Sequence, residues 1–164
     1  MNYQERIRLQ EDKDRYVATK CLEKLLYKGS DLEINPTEIE DYVDLNCSII
    51  NTKGRKVPFN VEIKERYKDD AQLQKYPNAE LKAAKLQRMK QATPQGTKLL
   101  YMVLLNEKEC LLFDLDKLDW SNVPLRNWRI KQTQFNPDSP YVSTPTYFIP
   151  YSAATATLDC SMYF

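Results

Sequence analysis

Seven consecutive apolar residues, Leu99-Leu100-Tyr101-Met102-Val103-Leu104-Leu105, constrain this chain more than any other stretch. The run does not alternate, has the length of a strand, and stops at the polar Asn106-Glu107-Lys108-Glu109. Such a run is explained by a strand buried on both faces, which requires a layer above and a layer below it. It belongs at the centre of a sheet, with Cys110-Leu111-Leu112-Phe113-Asp114 as its antiparallel neighbour across the turn.

Two earlier segments alternate instead. In the stretch from 41 to 50, Val43, Leu45, Cys47 and Ile49 take one face, and Tyr42, Asp44, Asn46 and Ser48 the other. In the second, Val57, Phe59, Val61 and Ile63 oppose Asn60, Glu62 and Lys64. The polar connection Asn51-Thr52-Lys53-Gly54-Arg55-Lys56 suits an antiparallel hairpin. With both apolar faces in one core, Asp44, Glu62 and Lys64 share the opposite face. Asp41 is a second choice for the first acid, since its parity puts it with Val43 and Leu45.

Two carboxylates and an ammonium in one place have a chemical use. Mg²⁺ takes one or two carboxylates, completing its shell with water and phosphate oxygens. Asp44 and Glu62 can supply the carboxylates, and the Ile63 carbonyl is a third candidate donor. A metal there acidifies water and neutralises charge on a phosphodiester, while Lys64 orients the nucleophile or stabilises the phosphate. The implied reaction is phosphodiester hydrolysis with Asp44, Glu62 and Lys64 as the catalytic group and Mg²⁺ or Mn²⁺ as cofactor.

Asp44 followed by Glu62-Ile63-Lys64 resembles the motif of the PD-(D/E)XK nuclease superfamily, the fold of many restriction endonucleases and Holliday-junction resolvases. Asp14 to Gly29 resembles its first helix, Asn78 to Gln91 the helix after the Glu-x-Lys strand, and Lys98 to Leu105 the next strand. The likeness spans about residues 10 to 115, and Val43 stands where the motif's proline would be. It implies an α/β (α+β) fold: a central mixed sheet flanked by helices, with an αβββαβ core. It also implies a DNA substrate, with RNA less expected, an acidic helix residue as an extra ligand, and a homodimer. Asp14 is the candidate for that acid, with Glu11 and Glu23 as competitors.

Composition removes other chemistries. Histidine is absent, and the four cysteines, at 21, 47, 110 and 160, have no Cys-x-x-Cys spacing, which argues against a structural zinc site and a His-dependent triad. The three glycines form neither a Walker nor a Rossmann pattern. No apolar run is long enough to span a membrane and the first residues are polar, so a cytoplasmic protein of one domain, 1–164, is expected.

Net charge is only +1, but it is unevenly spread. Residues 29 to 46 hold six acids and no base, whereas 81 to 98 hold Lys82, Lys85, Arg88, Lys90 and Lys98 and no acid. Lys82, Lys85, Gln87 and Arg88 are therefore candidate nucleic-acid contacts on a helix that starts with Asn78 as N-cap and buries Ala79, Ala83 and Leu86. The same helix could equally present a merely solvated face.

Elsewhere, residues 3 to 27 read as a helix whose second half is buried, 31 to 35 as a short strand, and 144 to 151 as a strand in a Tyr- and Pro-rich extension from about 120 to 164. Trp120, Arg126, Trp128, Arg129 and Lys131 interleave aromatic and basic groups, which suits nucleic acid but also suits plugging a core edge. The expected function is a metal-dependent DNA endonuclease. The alternatives are a non-catalytic nucleic-acid-binding or assembly protein on the same fold, and a small α+β interaction module.

Overall fold

The computed structural model describes residues 1–26, 31–38, 42–131 and 137–164. The apolar run at 99–105 fixes the architecture. It forms β5 (Lys98–Leu105), of which all but the first residue is buried. The central sheet runs β1 (Glu33–Pro36), β2 (Leu45–Ile50), β3 (Lys56–Arg66), β5, β6 (Glu109–Asp114) and β9 (Ala156–Asp159). Only the β3–β5 pair is parallel, so the sheet is mixed.

Alternation along β3 divides the protein into two cores. Phe59, Val61 and Ile63, with Leu45 and Cys47 of β2 and Leu100, Met102 and Leu104 of β5, face α1 (Tyr3–Leu26). That helix covers them with Val17, Ala18, Cys21 and Leu22, all fully buried. Full burial of side chains the size of Val17 and Leu22 contributes about 1.5–3 kcal/mol each, so the layer is held mainly by burial. On the other face, Leu99, Tyr101 and Val103 pack under Leu86 and Met89 of α3 (Ala83–Ala92) and under a second sheet. This second sheet is antiparallel, in the order β4 (Asn78–Lys82), β8 (Tyr141–Pro150), β7 (Leu125–Lys131). The layers are thus α1, the mixed sheet, then α3 with the outer sheet.

The β2–β3 hairpin closes as its polar residues require. Asn51 Oδ1 accepts the N–H groups of Lys53 and Arg55 at 3.0 and 2.9 Å, and Gly54 takes φ +73°, a conformation glycine adopts without a Cβ penalty.

Two expectations need correction. Asn78 caps no helix: residues 78–82 form β4, because they pair with Thr146–Pro150 of β8, and the helix begins only at Ala83. Long-range pairing here outweighs a local capping signal. Val43 does not share a face with Leu45. The residues before Leu45 bend rather than continue the strand, and Val43 is buried with Leu99 and Tyr101 instead. The short six-residue helix α2 (Asp70–Lys75), with a complete Asp69–Gln72 capping box, was not anticipated.

Asp41 and Gly29 lie outside the described residues. Residues 120–164 supply β9 to the central sheet and β7 and β8 to the outer one. Among the described residues no helix is long and apolar enough to cross a membrane.

Candidate functional site

The site is built where β2 begins beside β3. Asp44 lies in the bend just before Leu45, whose partner in the register is Val61, and it is tied to β3 at Val61 and Ile63, the residues on either side of Glu62. The two carboxyls are neighbours, close enough for the charge of one to act on the other. The backbone fixes the approach: the Asp44 N–H donates to the Val61 carbonyl at 2.9 Å, and the Ile63 N–H donates to Asp44 Oδ2 at 2.7 Å. In a strand the N–H and C=O of one residue point to the same side, so the Ile63 carbonyl also points toward Asp44, past the end of β2.

Thr37, just after β1, pins Asp44 from behind. Its N–H and Oγ1 both donate to the Asp44 carbonyl, at 3.0 and 3.1 Å, and Oγ1 also bonds the Val43 carbonyl. Asn60, on the same face of β3, is buried and donates to Thr93 Oγ1 at 3.1 Å. Thr37 carries no sequence signal for this role, because only folding brings it beside Asp44.

Glu62 is buried, and burial together with the adjacent Asp44 charge pushes its carboxyl up to about 7. Lys85 of α3 opposes that shift with Nζ at 2.9 Å from Glu62 Oε1. Two crowded carboxylates, one of them reluctant to ionise, are relieved by a cation between them, and hard oxygen donors fit Mg²⁺ or Mn²⁺. Among the described residues no group of three or more Asp, Glu, Cys or His is placed to hold a metal ion. The donor set available to a metal is therefore Asp44, Glu62 and the Ile63 carbonyl, completed by water and substrate, a set that suits Mg²⁺ better than the all-protein cages of Ca²⁺.

Lys64 lies two residues beyond Glu62 on the same face and is exposed. Its amine is pushed down by local burial and then by Arg66, with Lys82 and Lys85 adding to the repulsion and Glu62 opposing it. Among the described residues Lys64 makes no ion pair. Of these four cations Lys85 pairs with Glu62 and Arg66 reaches Glu80 at 3.9 Å, which leaves Lys64 and Lys82 without an ion pair among the described residues and open to an anion.

The other candidates separate. Asp14 is not brought to this group. It bonds Gln10 at 2.9 Å and lies beside Glu65, whose parity on β3 is opposite to that of Glu62 and Lys64; burial, then its hydrogen bond with Glu65, raises its carboxyl to about 7. Lys82 is exposed at the junction of β4 and α3. Lys85 is engaged with Glu62, Arg88 lies over the Tyr42 ring at 6.0 Å, and Gln87 is exposed on the same helix.

No family model and no curated protein matches the chain. Among solved structures the chain is similar to that of a nuclease from a fusselovirus, at 13% identity over 94% of this chain and 87% of that one, with a TM-score of 0.46.

Proposed function

We propose that this chain is a Mg²⁺- or Mn²⁺-dependent nuclease that hydrolyses phosphodiester bonds in DNA. The observation that carries the reading is the Asp44–Ile63 hydrogen bond, which holds Asp44 beside Glu62, the residue whose face of β3 Lys64 shares. Asp44, Glu62 and the Ile63 carbonyl would hold the cation. When bound, such a cation polarises a phosphoryl oxygen and makes water more acidic. Lys64, which makes no ion pair among the described residues, binds a non-bridging phosphate oxygen and offsets the charge that grows on it as the phosphorus is attacked. Lys82, also without an ion pair among the described residues, adds positive charge near Lys64 and holds the backbone in place.

One observation favours a second reading, a nucleic-acid-binding or assembly protein without catalysis. Lys85 already neutralises Glu62 at 2.9 Å, so the acid pair has a partner without any metal.

Cleavage of linear, nicked and branched DNA with Mg²⁺, with Mn²⁺ and with chelator separates the two, alongside Mn²⁺ titration. The nuclease reading expects metal-dependent cutting that Glu62→Ala abolishes together with Mn²⁺ binding, while Lys64→Ala abolishes cutting and retains Mn²⁺ binding. Absence of both cutting and Mn²⁺ binding in the unaltered chain would leave the second reading.

A further inference from the structure

The outer sheet carries charge and aromatic groups that the acid pair does not use. In its register Lys82 of β4 and Arg126 of β7 both stand opposite Thr146 of β8, so the three form one row across the sheet on one face. The two cations flank a buried threonine about 10 Å apart, twice the spacing between neighbouring strands. Both are exposed, and among the described residues neither makes an ion pair or hydrogen bond. Arg126 rests over the Phe148 ring at 6.0 Å.

Trp128, two residues from Arg126, shares that face. It is half-buried and held edge-on by Phe148 at 5.2 Å and by Tyr76 at 5.6 Å. Segments 125–131 and 141–150 contain three cations, Arg126, Arg129 and Lys131, and no acid. Arg129 and Lys131 take the opposite face of the ribbon, where they lie over Tyr141 at 4.9 and 5.8 Å. Glu80, an acid on the Lys82 face, is neutralised by Lys68 at 2.8 Å. At the other end Lys82 is the N-cap of α3, one turn before Lys85, whose Nζ lies 2.9 Å from Glu62 Oε1, so the row leads to the acid pair.

We propose that the outer sheet binds a single-stranded segment of nucleic acid, with Lys82 and Arg126 on its phosphates and Trp128 stacked on a base, and leads it to Lys64. Delivery to Lys64 rests on the nuclease reading; binding by the sheet does not. A duplex would offer the cations the same phosphates but hide its base faces from Trp128, whereas an unpaired strand satisfies both. The preferred substrate is therefore a single strand or a structure with a single-stranded arm, such as a fork or a flap.

The test is fluorescence anisotropy of the full chain in chelator, where nothing is cut, with a labelled oligo(dT) strand, a blunt duplex and a fork. The strand and the fork are expected to bind about tenfold tighter than the duplex, and Trp128→Ala to lose about tenfold on the strand with little change on the duplex. Trp128→Phe, which keeps a packed ring, should bind the strand nearly as the native chain does. The Lys82→Ala/Arg126→Ala pair should reduce the slope of log affinity against log salt by about 1.4 on the strand. Equal or tighter binding of the duplex overturns the proposal, as does an unchanged salt slope in the double variant. Cutting of the fork in Mg²⁺ is a separate readout: its absence with strand preference intact removes the nuclease reading alone.

Discussion

Asp44 Oδ2 accepts the Ile63 N–H at 2.7 Å, so one oxygen of a candidate metal ligand also closes the backbone of the strand that carries its partner, Glu62. The two roles can be separated. Asp44→Asn keeps an acceptor for Ile63 and should fold with stability close to the native chain, yet lose Mn²⁺ binding. Asp44→Ala leaves a buried N–H unpaired and should cost about 1–3 kcal/mol in addition. Urea unfolding beside Mn²⁺ titration of both variants measures the difference, and equal stabilities would show that the Ile63 bond contributes nothing.

Glu62 holds its proton up to about pH 7 in the fold, against an ordinary value of 4.5. Between those values the folded chain binds a proton that the unfolded chain does not, so stability falls as pH rises through the window and levels off above it. Glu62→Gln is neutral throughout and lacks that fall. In chelator, the native chain should lose on the order of 2 kcal/mol more than Glu62→Gln between about pH 5 and about pH 8. Parallel pH dependence in the two proteins would refute the raised carboxyl.

Mn²⁺ needs both carboxylates ionised, so its binding should weaken steeply below pH 7. Lys85 lowers the Glu62 carboxyl from its buried value, and Lys85→Met removes that help. The midpoint of Mn²⁺ affinity against pH should move upward in the variant. Calorimetric titration at several pH values reads it, and a downward shift would mean that Lys85 mainly competes with the cation.

Lys68 ties the start of the outer sheet to the rest of the protein. Its Nζ donates to the carbonyls of Tyr76 and Asn78 at 2.9 and 2.7 Å and to Glu80 Oε1 at 2.8 Å, with its side chain 9% exposed. Lys68→Met should destabilise by about 3 kcal/mol, because Glu80 and two carbonyls lose a partner. Adding Glu80→Gln should recover part of the loss, which a double-mutant cycle measures.

Thr37→Val removes the hydroxyl that bonds the Val43 and Asp44 carbonyls and keeps the backbone N–H. A cost of about 1 kcal/mol is expected. Mn²⁺ affinity should fall several-fold as Asp44 loosens, and Thr37→Ser should restore it. Stability lost without any change in Mn²⁺ affinity would give Thr37 a structural role only.

Much of this architecture was legible from local pattern. The unbroken run at 99–105 could only be a strand covered on both sides, and it lies at the centre of the mixed sheet. Alternation along 57–64 placed Glu62 and Lys64 together, because side chains two apart in a strand share a face whatever packs against it. Those are properties of one segment and are therefore written in its sequence.

What escaped depends on residues far apart. Asn78-Ala79-Glu80-Leu81-Lys82 has the marks of a helix start, but a partner some seventy residues away makes it β4. The same partner puts Lys82 in line with Arg126 through Thr146. Asp14 went to the far side of the sheet because α1 packs on the Ile63 face, and Thr37 reached Asp44 because β1 adds beside β2. Periodicity determines which face a side chain takes. Only tertiary pairing, through the burial and backbone hydrogen bonds it completes, decided what each face meets.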